Sequence, residues 1–99
     1  MKVEFHPEAE LELIEAASYY DELQVPGLGE DFEVEVRRAI DLLPQHPEIG
    51  SHLDDELRWF VLDRLPYTLI YSVSPDVLHI LVVVHQSRRP GYWRSRVSR

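Results

Sequence analysis

The residues best suited to chemistry are concentrated in one stretch near the C-terminus, from His85 to Arg94. This stretch combines an imidazole, two aromatic rings and several guanidinium groups, and Arg58 and Arg64 add two more guanidinium groups earlier in the chain. Arginines neutralise phosphates and aromatic rings stack on bases, so the pattern suits single-stranded nucleic acid. It also suits RNA cleavage, in which a 2′-hydroxyl attacks the adjacent phosphate, arginines stabilise the added charge, and His85 or Tyr92 transfers a proton.

A purely structural role for the same side chains is equally compatible with the sequence. Pro90 and Gly91 predict a turn that directs Tyr92 and Trp93 back toward the body of the protein. The rings would then pack on the sheet, and the arginines would pair with acids of the helical hairpin. If the segment instead binds a target or a partner protein, the expected contact residues are Arg88, Arg89, Tyr92, Trp93, Arg94 and Arg96.

The five histidines do not predict a metal site. His79 and His85 fall on one face of the same predicted strand, but six residues of strand separate them by roughly 20 Å, too far to share an ion. His46 and His52 lie in a loop without a companion carboxylate motif. We therefore expect no metal and no other cofactor.

Composition limits the chain to one small domain. It has 99 residues, no cysteine, 44% hydrophobic residues and a net charge of -8. This length supports a single core, and the lack of cysteine excludes a disulfide framework or a cysteine-rich zinc site. The longest apolar run, Ile80 to Val84, is far shorter than the ~20 residues of a membrane-spanning helix. We expect one cytoplasmic domain over residues 1–99, without a membrane role.

Charge is divided unevenly along the chain. Residues 1–56 carry three bases against sixteen acids, a net of -13, whereas residues 57–99 carry seven arginines against two acids, a net of +5. Such asymmetry is typical of a basic segment that meets an acidic partner or nucleic acid. It also fits a tail that folds back on the acidic half of its own chain.

Two amphipathic helices are predicted between residues 7 and 44. The first begins at Pro7, where the missing N–H is not needed, and its solvated face is marked by Glu8, Glu12, Glu15 and Glu22. The second has a buried stripe of Leu28, Phe32, Val36, Ile40 and Leu43, and Pro44 is predicted to end it. The short link of prolines and glycines between the two patterns implies an antiparallel helical hairpin.

Strands are predicted on both sides of the hairpin. Val3 to Phe5 alternates before it, and runs of strand-forming residues follow at 57–63, 67–73 and 77–84. The last run is apolar on both faces, with Val82 on the same face as Ile80, and it predicts a central strand. The expected fold class is α+β, with the hairpin on one face of a mainly antiparallel sheet. The other face is left for the C-terminal segment or a partner.

Four stretches of the chain, taken in order, resemble the RelE/ParE superfamily of type II toxins: FHPEAELELIEAASYY, GLGEDFEVEVRRAIDLLPQHPEIG, LRWFVLDRLPYTLIYSV and ILVVVHQSRRPGYW. The resemblance covers nearly the whole chain and implies the small α+β toxin fold. It also implies the toxin of a bacterial toxin–antitoxin pair, neutralised by an antitoxin whose extended or helical segment wraps it. A dimer of the free toxin or a toxin–antitoxin hetero-oligomer is left open.

Two activities divide that superfamily. RelE-like members enter the ribosome and cut messenger RNA, whereas ParE-like members poison DNA gyrase without known nuclease chemistry. By position, the nuclease roles would fall on Arg58, Arg64, His85, Arg88, Arg89 and Tyr92. RelE-like nucleases are generally rich in lysine and basic, whereas this chain has only Lys2 and is acidic. We therefore expect gyrase inhibition, with ribosome-dependent RNA cleavage as the alternative; the chain is an enzyme only in the second case. A further alternative is a harmless relic that still binds its antitoxin.

Overall fold

A computed structural model describes residues 1–97 of the chain. Its elements follow the predicted order, with two short additions: a strand after the second helix and a helix at the C-terminal end. The strands are β1 (Lys2–Phe5), β2 (Ser51–His52), β3 (Arg58–Val61), β4 (Tyr67–Val73) and β5 (Val77–His85). The helices are α1 (Pro7–Glu22), α2 (Leu28–Gln45) and α3 (Arg94–Val97).

The helical hairpin forms as the sequence predicts. Nδ1 of His6 caps α1 by accepting the Glu8 N–H at 3.1 Å, and Pro7 occupies the first helical position. The predicted end of α2 at Pro44 is wrong by one residue, because the helix includes Pro44 and continues to Gln45. A proline removes one donor, but the amide of the next residue outside the helix, His46, still donates to the Leu42 carbonyl and closes the last turn.

The sheet has the strand order β1-β5-β4-β3-β2. β1 runs parallel to β5, and the other pairs are antiparallel. β5 is therefore central, as predicted, and the architecture confirms the α+β class. The sequence does not predict β2, because Ser51 and His52 are both polar and show no hydrophobic alternation.

A bulge in β5 decides which of its side chains face the helices. The pairing with β4 skips Leu81. Before the skip, Ile80 packs in the helix-side core; after it, Val83 takes that side and Val82 lies on the opposite face. The predicted alternation, which places Val82 with Ile80, is therefore wrong, because one extra residue reverses the faces of everything that follows.

Both faces of the sheet carry a hydrophobic cluster. The larger one lies under the two long helices, and its largest fully buried side chains are Phe32, Leu43, Leu62, Leu69, Tyr71, Leu78 and Ile80. The smaller one lies on the other face and consists of Leu57, Ile70, Val82 and Trp93. Trp93 belongs to the C-terminal segment, so that segment covers part of the second face, which is one of the two options that the sequence left open.

Candidate functional site

The C-terminal segment turns back onto the sheet directly after β5. Gly91 has a positive φ of 76°, and the Arg94 N–H donates to the Gly91 carbonyl at 3.0 Å as α3 begins. The turn predicted at Pro90 and Gly91 thus directs Trp93 into the smaller cluster, where 6% of the residue remains exposed. Trp93 therefore anchors the segment to the smaller hydrophobic cluster, and its buried ring is not free to contact a partner.

A second anchor is formed by Glu12 of α1 with Tyr92 and Arg96, which together we call the Glu12 cluster. The Tyr92 hydroxyl donates a short hydrogen bond to Glu12 Oε2. The Arg96 guanidinium donates to both carboxylate oxygens, at 2.9 and 3.2 Å, and it also lies 3.2 Å from Glu8. The side chains of Arg96 and Glu12 are only 6% and 12% exposed. The tail therefore folds back on the acidic half of its own chain.

The Glu12 cluster also satisfies backbone groups at the edge of β5. β1 pairs with β5 only over Val77–Ile80, so the edge beyond Ile80 has no neighbouring strand. On that edge, the Val83 N–H donates to Glu12 at 3.0 Å and the Leu81 carbonyl accepts from Arg96 at 3.0 Å. A buried backbone group without a partner is costly. The two side chains thus replace the missing continuation of β1.

The environment shifts the pKa of each ionisable group in the cluster. Burial raises the pKa of Glu12, but the hydrogen bonds from Arg96, Tyr92 and the Val83 amide outweigh burial and leave that pKa below its usual value. Burial and the Glu12 carboxylate both raise the pKa of Tyr92 well above that of a free phenol. Burial lowers the pKa of Arg96, yet Glu12 reverses this and leaves it raised. At neutral pH the cluster therefore holds one carboxylate, one guanidinium and one neutral phenol.

The remaining arginines of the segment differ in how far they are engaged. The Arg88 guanidinium stacks on the Tyr92 ring at 3.9 Å from its centroid. Arg94 lies 3.3 Å from Asp54 and over the Trp93 ring. Arg88 and Arg89 are exposed at the tip of the turn that follows β5. Arg94 is exposed too, but it is paired with Asp54, whereas within residues 1–97 Arg88 and Arg89 form no ion pair.

A groove of about 440 Å³ runs between α1 and the end of β5, beside this turn. Its lining includes Tyr19, Tyr67, Val83, His85 and Arg88. The His85 ring packs edge-on against Tyr67, and its Nδ1 lies 3.0 Å from the Ser87 amide and 2.7 Å from the Ser87 hydroxyl. The groove thus presents aromatic surface, one imidazole and a guanidinium, and the carboxylates of Glu12 and Glu15 line its α1 side.

Arg58 and Arg64 lie apart from this groove. The Arg58 guanidinium donates to the Gly50 and Glu48 carbonyls, at 2.7 and 3.1 Å, and contacts Nε2 of His52 at 3.1 Å. Its donors are thereby committed to the loop before β2. Arg64 is exposed in a left-handed turn with φ of 63° and borders a small pocket at the start of α2. The fold therefore groups Arg88, Tyr92, Arg96 and His85 near one another. On the open face of the sheet, Arg58 and Arg96 both line a cleft of about 720 Å³, whose lining also includes His52 and His79. Arg64 lines neither this cleft nor the groove beside α1.

Glu12 is the site residue that sequence reasoning missed. The pattern of glutamates on α1 assigns it to a solvated face, and this assignment is wrong. A signal was present: Ala9, Glu12 and Ala16 follow the spacing of three and four residues that marks one helical face, and both alanines are buried. A carboxylate on a buried stripe implies a basic partner, because a buried charge must be paired. Arg96 is that partner.

The bulge also changes the relation between the two strand histidines. His79 lies on the open face with Leu81, whereas His85 lies beside α1 with Val83, so the two do not share a face as predicted. Within residues 1–97, no group of three or more histidine or acidic side chains is placed to hold a metal ion. In the same part of the chain, none of the helices combines the length and the apolar character needed to cross a membrane.

Comparison with known proteins identifies the family. Residues 3–90 match the family model described as the ParE toxin of the type II toxin–antitoxin system parDE. A solved chain from the chromosomal ParDE toxin–antitoxin system of P. aeruginosa superimposes with a TM-score of 0.71 over 86% of this chain and 95% of its own length. The two sequences are 18% identical, so this likeness concerns the fold. A comparison with curated protein sequences found no significant match. The family match extends over most of the chain and agrees with the fold, and the chain therefore belongs to the ParE toxin family of type II toxin–antitoxin systems.

Proposed function

We propose that this ParE-type toxin acts by inhibiting DNA gyrase and has no RNA-cleaving activity. The observation that carries the proposal is the hydrogen bond of Tyr92, one of the two candidate proton donors, to Glu12. A phenol that donates its proton to a buried carboxylate, and whose pKa is raised, neither gives up that proton easily nor accepts another. RNA cleavage with Tyr92 as the proton donor would require this bond to break first.

The arginines needed for RNA cleavage are committed as well. Arg58 donates to two backbone carbonyls and Arg96 is enclosed by Glu8, Glu12 and the Leu81 carbonyl. A guanidinium held in this way has few donors left for the charge that develops on a phosphate. The net charge of -8 adds long-range repulsion from ribosomal RNA. Both observations favour a protein target.

We assign the contact with gyrase to the exposed turn after β5. Arg88 and Arg89 form its tip, and Tyr92 supports Arg88 by stacking beneath it. We assign a supporting role to the other three predicted contact residues. Trp93 packs in the smaller cluster, Arg94 pairs with Asp54 and Arg96 pairs with Glu12, and these contacts hold the turn in place. Such an action would take place in the cytoplasm, where gyrase works.

The partner of a type II toxin is its antitoxin, and we propose the groove between α1 and β5 as its docking site. Beyond the end of β1, the Val83 N–H is taken by Glu12 and the His85 carbonyl by the Arg88 N–H. We propose that an extended antitoxin segment pairs with the two groups that remain on this edge, the Val83 carbonyl and the His85 N–H, as a short added strand. Aromatic side chains line the groove, Arg88 borders it at the turn and the exposed Glu15 lies on α1. Such a segment should therefore carry an apolar anchor and an acid that meets Arg88 rather than Glu15.

A supercoiling assay with the purified chain, run beside a cell-free translation assay, tests the proposed target. We expect inhibited supercoiling or a stabilised cleavage complex, together with normal translation. The Arg88→Glu/Arg89→Glu variant should lose gyrase inhibition. Lys2→Glu changes the charge in the same direction at an exposed site on β1 and should keep it. Translation arrest without any effect on gyrase would reassign the chain to RNA cleavage, and unimpaired growth on induction without antitoxin would identify a relic.

A further inference from the structure

The outer face of α2 is a second surface with binding character, on an element that the proposed gyrase and antitoxin sites do not use. It forms a shallow groove of about 430 Å³ on the helix. The apolar side chain of Val34 is 52% exposed on this surface. We call this surface the α2 face, and its residues are Val34, Arg37, Arg38, Asp41, Leu42 and Gln45.

The α2 face is exceptional in an acidic hairpin, because it carries bases. Residues 1–56 contain three bases against sixteen acids, and two of those bases are Arg37 and Arg38. Arg38 lies 3.2 Å from Glu35 within the same helix. Over residues 1–97, neither Arg37 nor Asp41 takes part in an ion pair. The face therefore offers one unpaired charge of each sign.

The charges on the α2 face of one copy are complementary to those on the α2 face of a second copy. Arg37 and Asp41 are four residues apart, about 6 Å along the helix axis. If a second copy of α2 packs antiparallel and crosses near residue 39, Arg37 of each copy meets Asp41 of the other. Val34 and Leu42 lie outside this pair, toward opposite ends of the helix, and supply apolar contact on both sides of the crossing. A two-fold interface requires this kind of self-matching surface.

We infer that two copies of this chain associate through their α2 faces, in an antiparallel pair held by reciprocal Arg37–Asp41 contacts. The outer face of α1 is more apolar, since Leu11 and Ile14 are both more than half exposed, but Glu10 and Glu15 flank them. A second copy brought against α1 would place acids against acids. α2 is about 27 Å long and its apolar area is small, so the dimer should be of the weak class.

The test is sedimentation of the full chain over a range of concentrations, with charge-reversed variants. The wild type should show reversible dimerisation, and Arg37→Asp alone or Asp41→Arg alone should each weaken it about tenfold or more. Each single variant carries two like charges, so it repels itself. A mixture of the two single variants restores both opposite pairs, as does the double variant Arg37→Asp/Asp41→Arg, and both should dimerise like the wild type. Glu33→Gln changes a charge elsewhere on the exposed surface of α2 and should leave dimerisation unchanged.

Three results would overturn the inference. The wild type could sediment as a monomer at every concentration, or the single variants could dimerise as well as the wild type. The mixture of single variants could also fail to associate while each remains folded by circular dichroism. Loss of antitoxin binding in the single variants, with self-association unchanged, would assign the α2 face to the antitoxin instead.

Discussion

Replacing Glu12 with glutamine removes the charge that anchors the C-terminal segment. The carboxylate accepts hydrogen bonds from the Val83 amide, the Tyr92 hydroxyl and Arg96. Glutamine keeps one acceptor oxygen, but its second terminal atom becomes an NH₂ donor that faces other donors. The variant therefore loses the ion pair and gains a conflict between donors, while its size stays almost the same.

The expected cost follows from the burial of the pair. Removing one partner of a buried ion pair costs about 3–5 kcal/mol. Glu8 remains 3.2 Å from Arg96, but its side chain is 61% exposed, and such an exposed pair returns only about 0.5–1 kcal/mol. We therefore expect the free energy of unfolding to fall by about 2–4 kcal/mol. For a domain of this size that corresponds to a melting temperature lower by about 10–25 °C.

Urea and thermal unfolding of the purified variant measure this loss. The matched control is Glu15→Gln, the same chemical change three residues along α1, where the side chain is exposed. That control should stay within about 0.5 kcal/mol of the wild type. Arg96→Gln and the double variant Glu12→Gln/Arg96→Gln complete a double-mutant cycle. The double variant should lose less stability than the sum of the two single losses, by about 1 kcal/mol or more. Equal stability of Glu12→Gln and Glu15→Gln would refute the anchoring role of Glu12.

Three further outcomes are expected. In the folded protein the pKa of Glu12 lies below its usual value of 4.5. The ionised carboxylate therefore contributes its full stability above pH 4.5, and this contribution is lost as the pH falls through the folded pKa. Urea midpoints measured from pH 7 to pH 3 should decline less in Glu12→Gln than in the wild type. Tyr92→Phe keeps the ring under Arg88 but removes the donor to Glu12, so it should lose about 1–2 kcal/mol in urea unfolding and still inhibit gyrase; loss of inhibition in the folded variant would contradict the proposed role. Gly50→Ala would place a Cβ 2.8 Å from the Trp59 carbonyl oxygen, close to the Tyr71 hydroxyl, and should cost about 1–3 kcal/mol in thermal unfolding. Gly27→Ala meets no atom within 4 Å and should cost only about 1 kcal/mol for its positive φ.

Elements and their order could be read from the sequence because they depend on local properties. The helical stripes, the proline at the start of α1 and the alternating strands each express a periodicity that the chain carries in itself. The split of charge at residue 56 likewise directed attention to the C-terminal half, which contains the exposed turn and two members of the Glu12 cluster, Tyr92 and Arg96. The assignment to a toxin superfamily rested on the same segments and agrees with the family match.

What the tertiary structure decided concerns contacts between distant positions. The bulge at Leu81 arises from how β5 pairs with β4, and a one-residue shift of this kind leaves no mark on hydrophobic alternation. Glu12 and Arg96 are 84 residues apart, and they meet because β1 ends at Phe5 and leaves backbone groups of β5 to be satisfied. Sequence types alone left Tyr92 and the arginines open to either a catalytic or a structural role. The fold ties Tyr92 and Arg96 to the chain's own carboxylate, because a buried charge must find its partner inside the protein.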